Sequence, residues 1–242
     1  MIRPMSEYGQ DDMAHRLPEA EVVDRISWLV DRCRGKRVIH VGFADAGFRE
    51  EQSRAGRWLH GHIAEVAREV VGLDADEAGV ATAVAAGFEA YLVDATDPDA
   101  IAALNLEPAD VLLAGEVIEH LDAPGSFLEA LHQLLNPEGL LIVTTPNAYG
   151  LINVVASIVR RVEVNHPDHV VMFTWRTLVE LLRRRGWIVD ETATYVPIVR
   201  ERGSRSRFES FAVRSVFALE RLLGHFGRPF SADGLIVTAH RA

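Results

Sequence analysis

Five consecutive positions, Glu116-Val117-Ile118-Glu119-His120, hold two carboxylates and an imidazole, and they follow an apolar run, Ala109 to Gly115, that reads as a strand. If a helical turn starts at Glu116, positions i, i+3 and i+4 share one face, so Glu116, Glu119 and His120 converge. Hard carboxylate oxygens with an imidazole suit a divalent cation. The same residues also suit a solvated first turn whose acidic side chains complement the positive end of a helix. Two aspartates are placed comparably. Asp74 closes the strand-like run Val70 to Leu73, and Asp94, with Ala95 beside it, closes Ala90 to Val93. A carboxylate at the tip of the second strand can accept from both hydroxyls of a ribose, and one after the third can face the exocyclic amine of an adenine. Either alone also reads as a helix cap. In register with the loop His40-Val41-Gly42-Phe43-Ala44-Asp45-Ala46-Gly47, the pair favours an adenosine-containing cofactor. Gly42 lets the backbone approach a ligand and Gly47 permits a tight turn. The loop is not a GxGxxG and carries no P-loop lysine.

The elements that must hold these residues follow from apolar periodicity. Strands are expected at Lys36 to Phe43, Val70 to Leu73, Ala90 to Val93, Ala109 to Gly115, Gly139 to Thr145, Trp187 to Tyr195 and Leu235 to Ala239. Helices are expected at Ser53 to Glu69, Glu77 to Ala86, Phe127 to Leu135, Thr174 to Arg185 and Phe208 to Leu223, with a helical segment within residues 1–35. Strands buried on both faces and alternating with helices predict an α/β fold, a doubly wound, mostly parallel sheet. The 242 residues suit a single domain, with 196–233 inserted as a lid before the last strand.

Composition narrows the function. Hydrophobic residues make up 48% and charged ones 25%, as in a globular domain, and the net charge is −10. So acidic a chain does not bind nucleic acid through bulk electrostatics. The single cysteine, Cys33, allows no internal disulfide and fits a reducing compartment. The N-terminus lacks the apolar core of a signal peptide, and the longest apolar helix-like stretch, Leu151 to Val159, is far shorter than the roughly 20 residues of a membrane span. The expectation is a soluble, cytoplasmic protein, with oligomeric state open.

The order of motifs resembles that of the class I S-adenosylmethionine-dependent methyltransferases. The matching pieces are VIHVGFADAG, VVGLDAD, LVDATD, ADVLLAGEVIEHLDAP and LLNPEGLLIVTTPN, across residues 36–195 with the closing strand Gly234 to Arg241. The resemblance implies a seven-stranded sheet whose last strand is antiparallel, with S-adenosylmethionine held at Gly42, Asp74, Asp94, Ala95 and Gly115. The first motif departs from the pattern: His40, Phe43, Ala44 and Ala46 stand where the family has an acidic residue and a glycine triplet.

A narrower resemblance joins Glu116–His120 to the ubiquinone-biosynthesis O-methyltransferases and to the small-RNA 3′-terminal 2′-O-methyltransferases. In the latter, two glutamates, a histidine and a second histidine downstream hold magnesium. It implies Glu116, Glu119, His120 and His169 as ligands of Mg2+ or another divalent cation. His169 matches by its distance from Phe173-Thr174-Trp175, and His166 is the second candidate for that place and otherwise a proton acceptor. Metal ligation would lower the pKa of a diol hydroxyl and fix it in line with the sulfonium methyl. The expected activity is O-methylation of a polyhydroxylated small molecule, a carbohydrate first and a catechol or quinone precursor second. Arg200, Arg202, Arg205, Arg207 and Arg214 would face an anionic acceptor or form a solvated loop, and Phe173 and Trp175 would stack on a sugar or pack in the core. Two readings from other classes use the same residues. An NAD-dependent oxidoreductase would use Asp74 alike, but the broken glycine pattern opposes it. A non-catalytic cofactor-binding module would explain the first motif but not the clustered ligand-type side chains.

Overall fold

The computed structural model describes residues 16–44, 58–197 and 207–242. Asp45, Ala46, Gly47, the start of the helix expected from Ser53, and Arg200, Arg202 and Arg205 lie outside the described residues.

Among the described residues, eight strands form one sheet. They are β1 (Val22–Val23), β2 (Arg37–Val41), β3 (Glu69–Asp74), β4 (Glu89–Leu92), β5 (Ala109–Gly115), β6 (Leu135–Pro146), β7 (Trp187–Tyr195) and β8 (Gly234–Arg241). Their spatial order is β1-β7-β8-β6-β5-β2-β3-β4. All neighbours are parallel except β8, which runs antiparallel to both β6 and β7. The count exceeds the expected seven by β1, a two-residue edge strand too short for an apolar pattern. The continuous apolar runs have a direct cause. Val38 and Ile39, Leu112 and Leu113, and Leu141 and Ile142 are fully buried neighbours that join core clusters on opposite faces of the sheet.

The helices among the described residues are α1 (Arg25–Cys33), α2 (Leu59–Val66), α3 (Glu77–Ala85), α4 (Pro98–Ala103), α5 (Pro124–Ala130), α6 (Leu151–Arg160), α7 (Trp175–Arg184) and α8 (Arg207–His225). α1 starts at Asp24, whose Oδ1 accepts from the Ser27 backbone N at 2.9 Å, and it buries Leu29 and Cys33. α7 starts on a reciprocal cap between Thr174 and Thr177. Six-residue α4, with Asp97 as cap and proline in its first turn, is too short to show a period and was not expected. The helix expected at Phe127 to Leu135 is α5 followed by a 3-10 turn, Leu131–Leu134.

The chain leaves β2 towards β3 and β4 in one direction and continues through β5 and β6 in the other. Adjacent β2 and β5 therefore mark the switch point, where a crevice opens beyond the carboxyl ends of the strands.

Candidate functional site

That crevice is a cleft of about 560 Å³ bordered by the ends of β2, β3, β5 and β7 and the start of α1. Gly42 lies at its floor. Its φ is +75°, its N donates to the Leu73 carbonyl at 2.8 Å, and an added Cβ would stand 1.9 Å from Val117 Cγ2. The loop after β2 thus rests directly on the turn after β5, and only glycine fits.

Asp74 projects from the tip of β3. Its Oδ2 accepts from Ala44 N at 2.9 Å and its Oδ1 from Asp76 N at 3.0 Å, while burial pushes the carboxyl up from its ordinary value. Each oxygen keeps a lone pair for a ligand hydroxyl. Asp94 and Ala95 border the same cleft. Asp94 Oδ1 accepts from Thr96 N at 2.8 Å and Thr96 Oγ1 at 2.7 Å, a local turn rather than the expected helix cap, which Asp97 supplies for α4.

At the opposite end of the floor, His40 is 2% exposed and its Nδ1 lies 3.3 Å from Nδ1 of fully buried His60. Burial first, then His60 and Arg25, pull its pKa well below the ordinary value, so it is a neutral imidazole. Arg25 is the one arginine or lysine among the described residues lining the cleft. Its Nη2 donates to Thr144 Oγ1 at 3.0 Å, and an added Cβ on Gly115 would stand 3.1 Å from that nitrogen.

The expected helical face at Glu116 is not formed. Glu116 has φ +58°, outside any helix, and the turn is a 3-10 segment, Ile118–His120. Glu116 Oε1 accepts from Thr144 Oγ1 at 3.0 Å and from the Tyr195 hydroxyl at 2.5 Å. Burial and the Glu116 charge hold the Tyr195 phenol well above its ordinary pKa, so it stays a donor. These ties draw the side chain towards β6 and β7 and account for the unusual backbone.

Glu119 is fully buried. Its Oε2 accepts from Thr145 Oγ1 at 3.0 Å, and its Oε1 is buried without a hydrogen-bond partner. Burial, then the Glu116 charge, raise its pKa to about 9. Its backbone carbonyl accepts from Val170 N at 2.8 Å and Val171 N at 3.1 Å, which pins the loop after α6 beside it.

That loop brings three imidazoles together. Ring nitrogens of His120, His166 and His169 lie within 4.8 Å of one another. His120 Nδ1 must donate to the Asp168 carbonyl, 3.2 Å away, since that oxygen can only accept, and its Nε2 is left as a bare acceptor. His169 Nδ1 is tied at 2.5 Å to Asn165 Oδ1, an oxygen identified by its accepting from His166 N at 2.9 Å. Burial first, then His120 and His166, lower the His169 pKa and favour a free lone pair on Nε2. His166 differs: its Nδ1 accepts from Asp168 N at 3.3 Å, which leaves the proton on Nε2. To accept a proton from a substrate it must surrender that bond. Glu116 and Glu119 share the cleft with the three histidines, but their carboxylates are engaged by Thr144, Tyr195 and Thr145 rather than gathered with the imidazoles.

Sequence reasoning missed Arg25, Tyr195 and the His40–His60 pair. Each meets the cleft through contacts distant in sequence, and no local spacing signals them. Phe173 belongs to the core, and Trp175 packs against it with Nε1 donating to Thr192 Oγ1 at 3.1 Å, so neither forms a stacking wall. Arg207 begins α8, and Arg214 is exposed on it.

The sequence pattern of a family described as a methyltransferase domain matches residues 14–192. The "Probable S-adenosylmethionine-dependent methyltransferase" of Mycolicibacterium smegmatis is 34% identical over 170 residues, 68% of this chain and 56% of that one. A ubiquinone biosynthesis O-methyltransferase of Ruegeria pomeroyi is 34% identical over 139 residues, 54% of this chain and 56% of its own length. The chain thus spans little more than half the length of these relatives. Among solved structures, a small RNA methyltransferase superposes with a TM-score of 0.57 at 16% identity, covering 94% of this chain and 27% of that one, a likeness of fold.

Proposed function

The chain belongs to the class I S-adenosylmethionine-dependent methyltransferases, and we propose that it moves the cofactor's methyl group to a hydroxyl of a small molecule that a divalent cation holds. One observation carries this reading. A single cleft runs from Asp74 and Asp94 to His120, His166 and His169. A nucleoside carboxylate site and a cluster of nitrogen ligands on one cleft would bring donor and acceptor within reach of each other.

The residues fit the cofactor. Asp74 offers lone pairs to the ribose, Asp94 and Ala95 border the adenine end, and Gly42 and Gly115 line the floor. Arg25 supplies the positive charge that an amino-acid carboxylate needs, and neutral His40 lies where a carboxylate would otherwise meet its ammonium. When bound, the cofactor supplies an electrophilic methyl on a positively charged sulfur.

The donor set also fits a cation. His120 and His169 would ligate through Nε2, each oriented by a carbonyl-type oxygen on Nδ1. Glu119 Oε1, buried and unpartnered, would gain a partner, and Glu116 would add its second oxygen. Two imidazoles favour manganese, cobalt or zinc beside magnesium. A bound cation would lower the pKa of an acceptor hydroxyl. His166 can then hold or receive a proton at the edge of the site, and Tyr195 orients Glu116.

A vicinal diol is the acceptor class this arrangement suits, from a carbohydrate or a catechol. The names of the ubiquinone-biosynthesis relatives add weight to the catechol arm. The deciding experiment is labelled methyl transfer to panels of glycosides and catechols, with chelator and with each metal restored, beside calorimetry with S-adenosylmethionine and with NAD. We expect S-adenosylmethionine binding, methylation of one diol class, and loss of activity in EDTA. Full activity in EDTA would overturn the metal role alone, and tight NAD binding without S-adenosylmethionine binding would overturn the whole reading.

A further inference from the structure

α6 and α8 pack against each other, yet each leaves an apolar stripe facing outward. α6 buries only Ala156, while Val154, Ile158 and Val159 are exposed. Among the described side chains of α8, Phe217 and Glu220 are buried, and Leu219 and Leu222, with Phe226 just past the helix end, line an exposed face. Ile158 and Phe226 are 75% and 68% exposed. Scattered exposed apolar residues need no explanation, but two aligned stripes on neighbouring helices form a patch.

Charge identifies what the patch meets. The chain as a whole carries −10, but residues 149–162 and 213–228 hold five arginines, Arg160, Arg161, Arg214, Arg221 and Arg228, and one carboxylate. That carboxylate, Glu220, is fully buried. Exposed apolar stripes flanked by arginines, in an otherwise acidic molecule, match an anionic lipid surface, where apolar side chains enter the headgroup region and guanidinium groups meet phosphates. No helix among the described residues is long and apolar enough to cross a membrane, so the contact lies in the plane of the interface.

We infer that the outer face of α6 and α8 docks on an anionic bilayer. The loop bearing His166 and His169 leaves the C-terminal end of α6, so docking brings the histidine end of the cleft towards the lipid, where a bilayer-held acceptor can reach it. The docking face is independent of the methyl-transfer reading and can fail or stand without it.

The test is co-sedimentation of the full chain with vesicles of phosphatidylcholine alone or mixed with phosphatidylglycerol, at low and high salt. The expected result is pelleting with the anionic vesicles, weakened several-fold by salt. Ile158→Asp combined with Phe226→Asp should weaken partitioning about ten-fold or more with an unchanged unfolding midpoint, since both side chains are exposed. Arg161→Glu with Arg221→Glu should weaken it on anionic vesicles only. The inference is overturned if the wild-type chain stays in the supernatant, or if the Ile158/Phe226 variant pellets like the wild type. It is also overturned if light scattering finds a dimer that this variant converts to monomer, for then a second copy covers the face.

Discussion

Replacing Gly42 by alanine tests the junction between the cofactor loop and the turn that carries Glu116, Glu119 and His120. The new Cβ would stand 1.9 Å from Val117 Cγ2, against an ordinary carbon–carbon contact of about 3.5–4.0 Å, so the two segments must part by about 1.5 Å or more. Overpacking of this kind costs about 1–3 kcal/mol. A left-handed φ, here +75°, adds about 1–2 kcal/mol for an L-residue. The expected loss is therefore about 2–5 kcal/mol of stability, together with weaker S-adenosylmethionine binding. Adding Val117→Ala removes Cγ2 and leaves Val117 Cβ, at 3.4 Å, and the Gly115 carbonyl oxygen, at 3.7 Å, near the new methyl. The double variant should recover the packing share and retain the backbone share, a coupling that a double-mutant cycle isolates. Chemical denaturation of the four proteins measures the cycle, and calorimetry gives the cofactor affinities. If Gly42→Ala unfolds and binds like the wild type, or if Val117→Ala brings no recovery, the account of this junction is wrong.

Four further outcomes follow from the geometry. Arg25→Met should weaken S-adenosylmethionine binding about 10–100-fold with little change in fold, as judged by titration calorimetry and circular dichroism. Tyr195→Phe removes the 2.5 Å donor to Glu116 and should destabilise the protein by about 1.5–3 kcal/mol, measured by denaturation, with a fall in kcat. Asn165→Ala frees the His169 ring and should weaken metal affinity about 10–100-fold, read from thermal shift against added manganese or zinc. Glu220 and Asp233, buried together, have carboxyl pKa values raised to about 9 and about 6, from 4.5 and 3.8, by burial first. Between those limits the native state holds more protons than the unfolded chain, so stability is greatest at acid pH and falls as pH rises from 4.5 towards 9. Glu220→Gln should flatten that decline by about 2–5 kcal/mol, measured by denaturation from pH 5 to pH 9.

The elements that position the site were legible wherever burial imposes a period. Ala109 to Gly115 stands at its expected bounds because a strand covered on both faces admits little but apolar residues, and Trp187 to Tyr195 does so although Ile188, Asp190 and Glu191 are exposed. The helix expected at Thr174 to Arg185 is α7, which starts one residue later because Thr174 stands outside it as the cap. The helical face at Glu116 was misread because the signal was one of spacing alone. Hydrogen bonds from Thr144 and Tyr195, 28 and 79 positions away, hold the carboxylate and turn the backbone left-handed. Local sequence carries no trace of partners at that range. Arg25 and the His40–His60 pair were hidden likewise, whereas Asp74 was visible because the end of a parallel strand is itself a location.

The placement of β8 has a consequence for assembly of the chain. It comes latest of the eight strands, yet it lies between β6 and β7 and supplies hydrogen bonds to both. Until residues 234–241 leave the ribosome, the half of the sheet bearing Thr144, Thr145 and Tyr195 has two open edges and cannot close. Nascent chains therefore expose long apolar strands that can pair with one another, and the step that completes the sheet is the insertion of one strand between two already made. Truncation just before Gly234 should yield aggregates or chaperone-bound chains rather than a smaller folded protein. Both glutamates of the cleft would then lack a settled β6 and β7 to bring them the Thr144, Thr145 and Tyr195 hydroxyls that hold them.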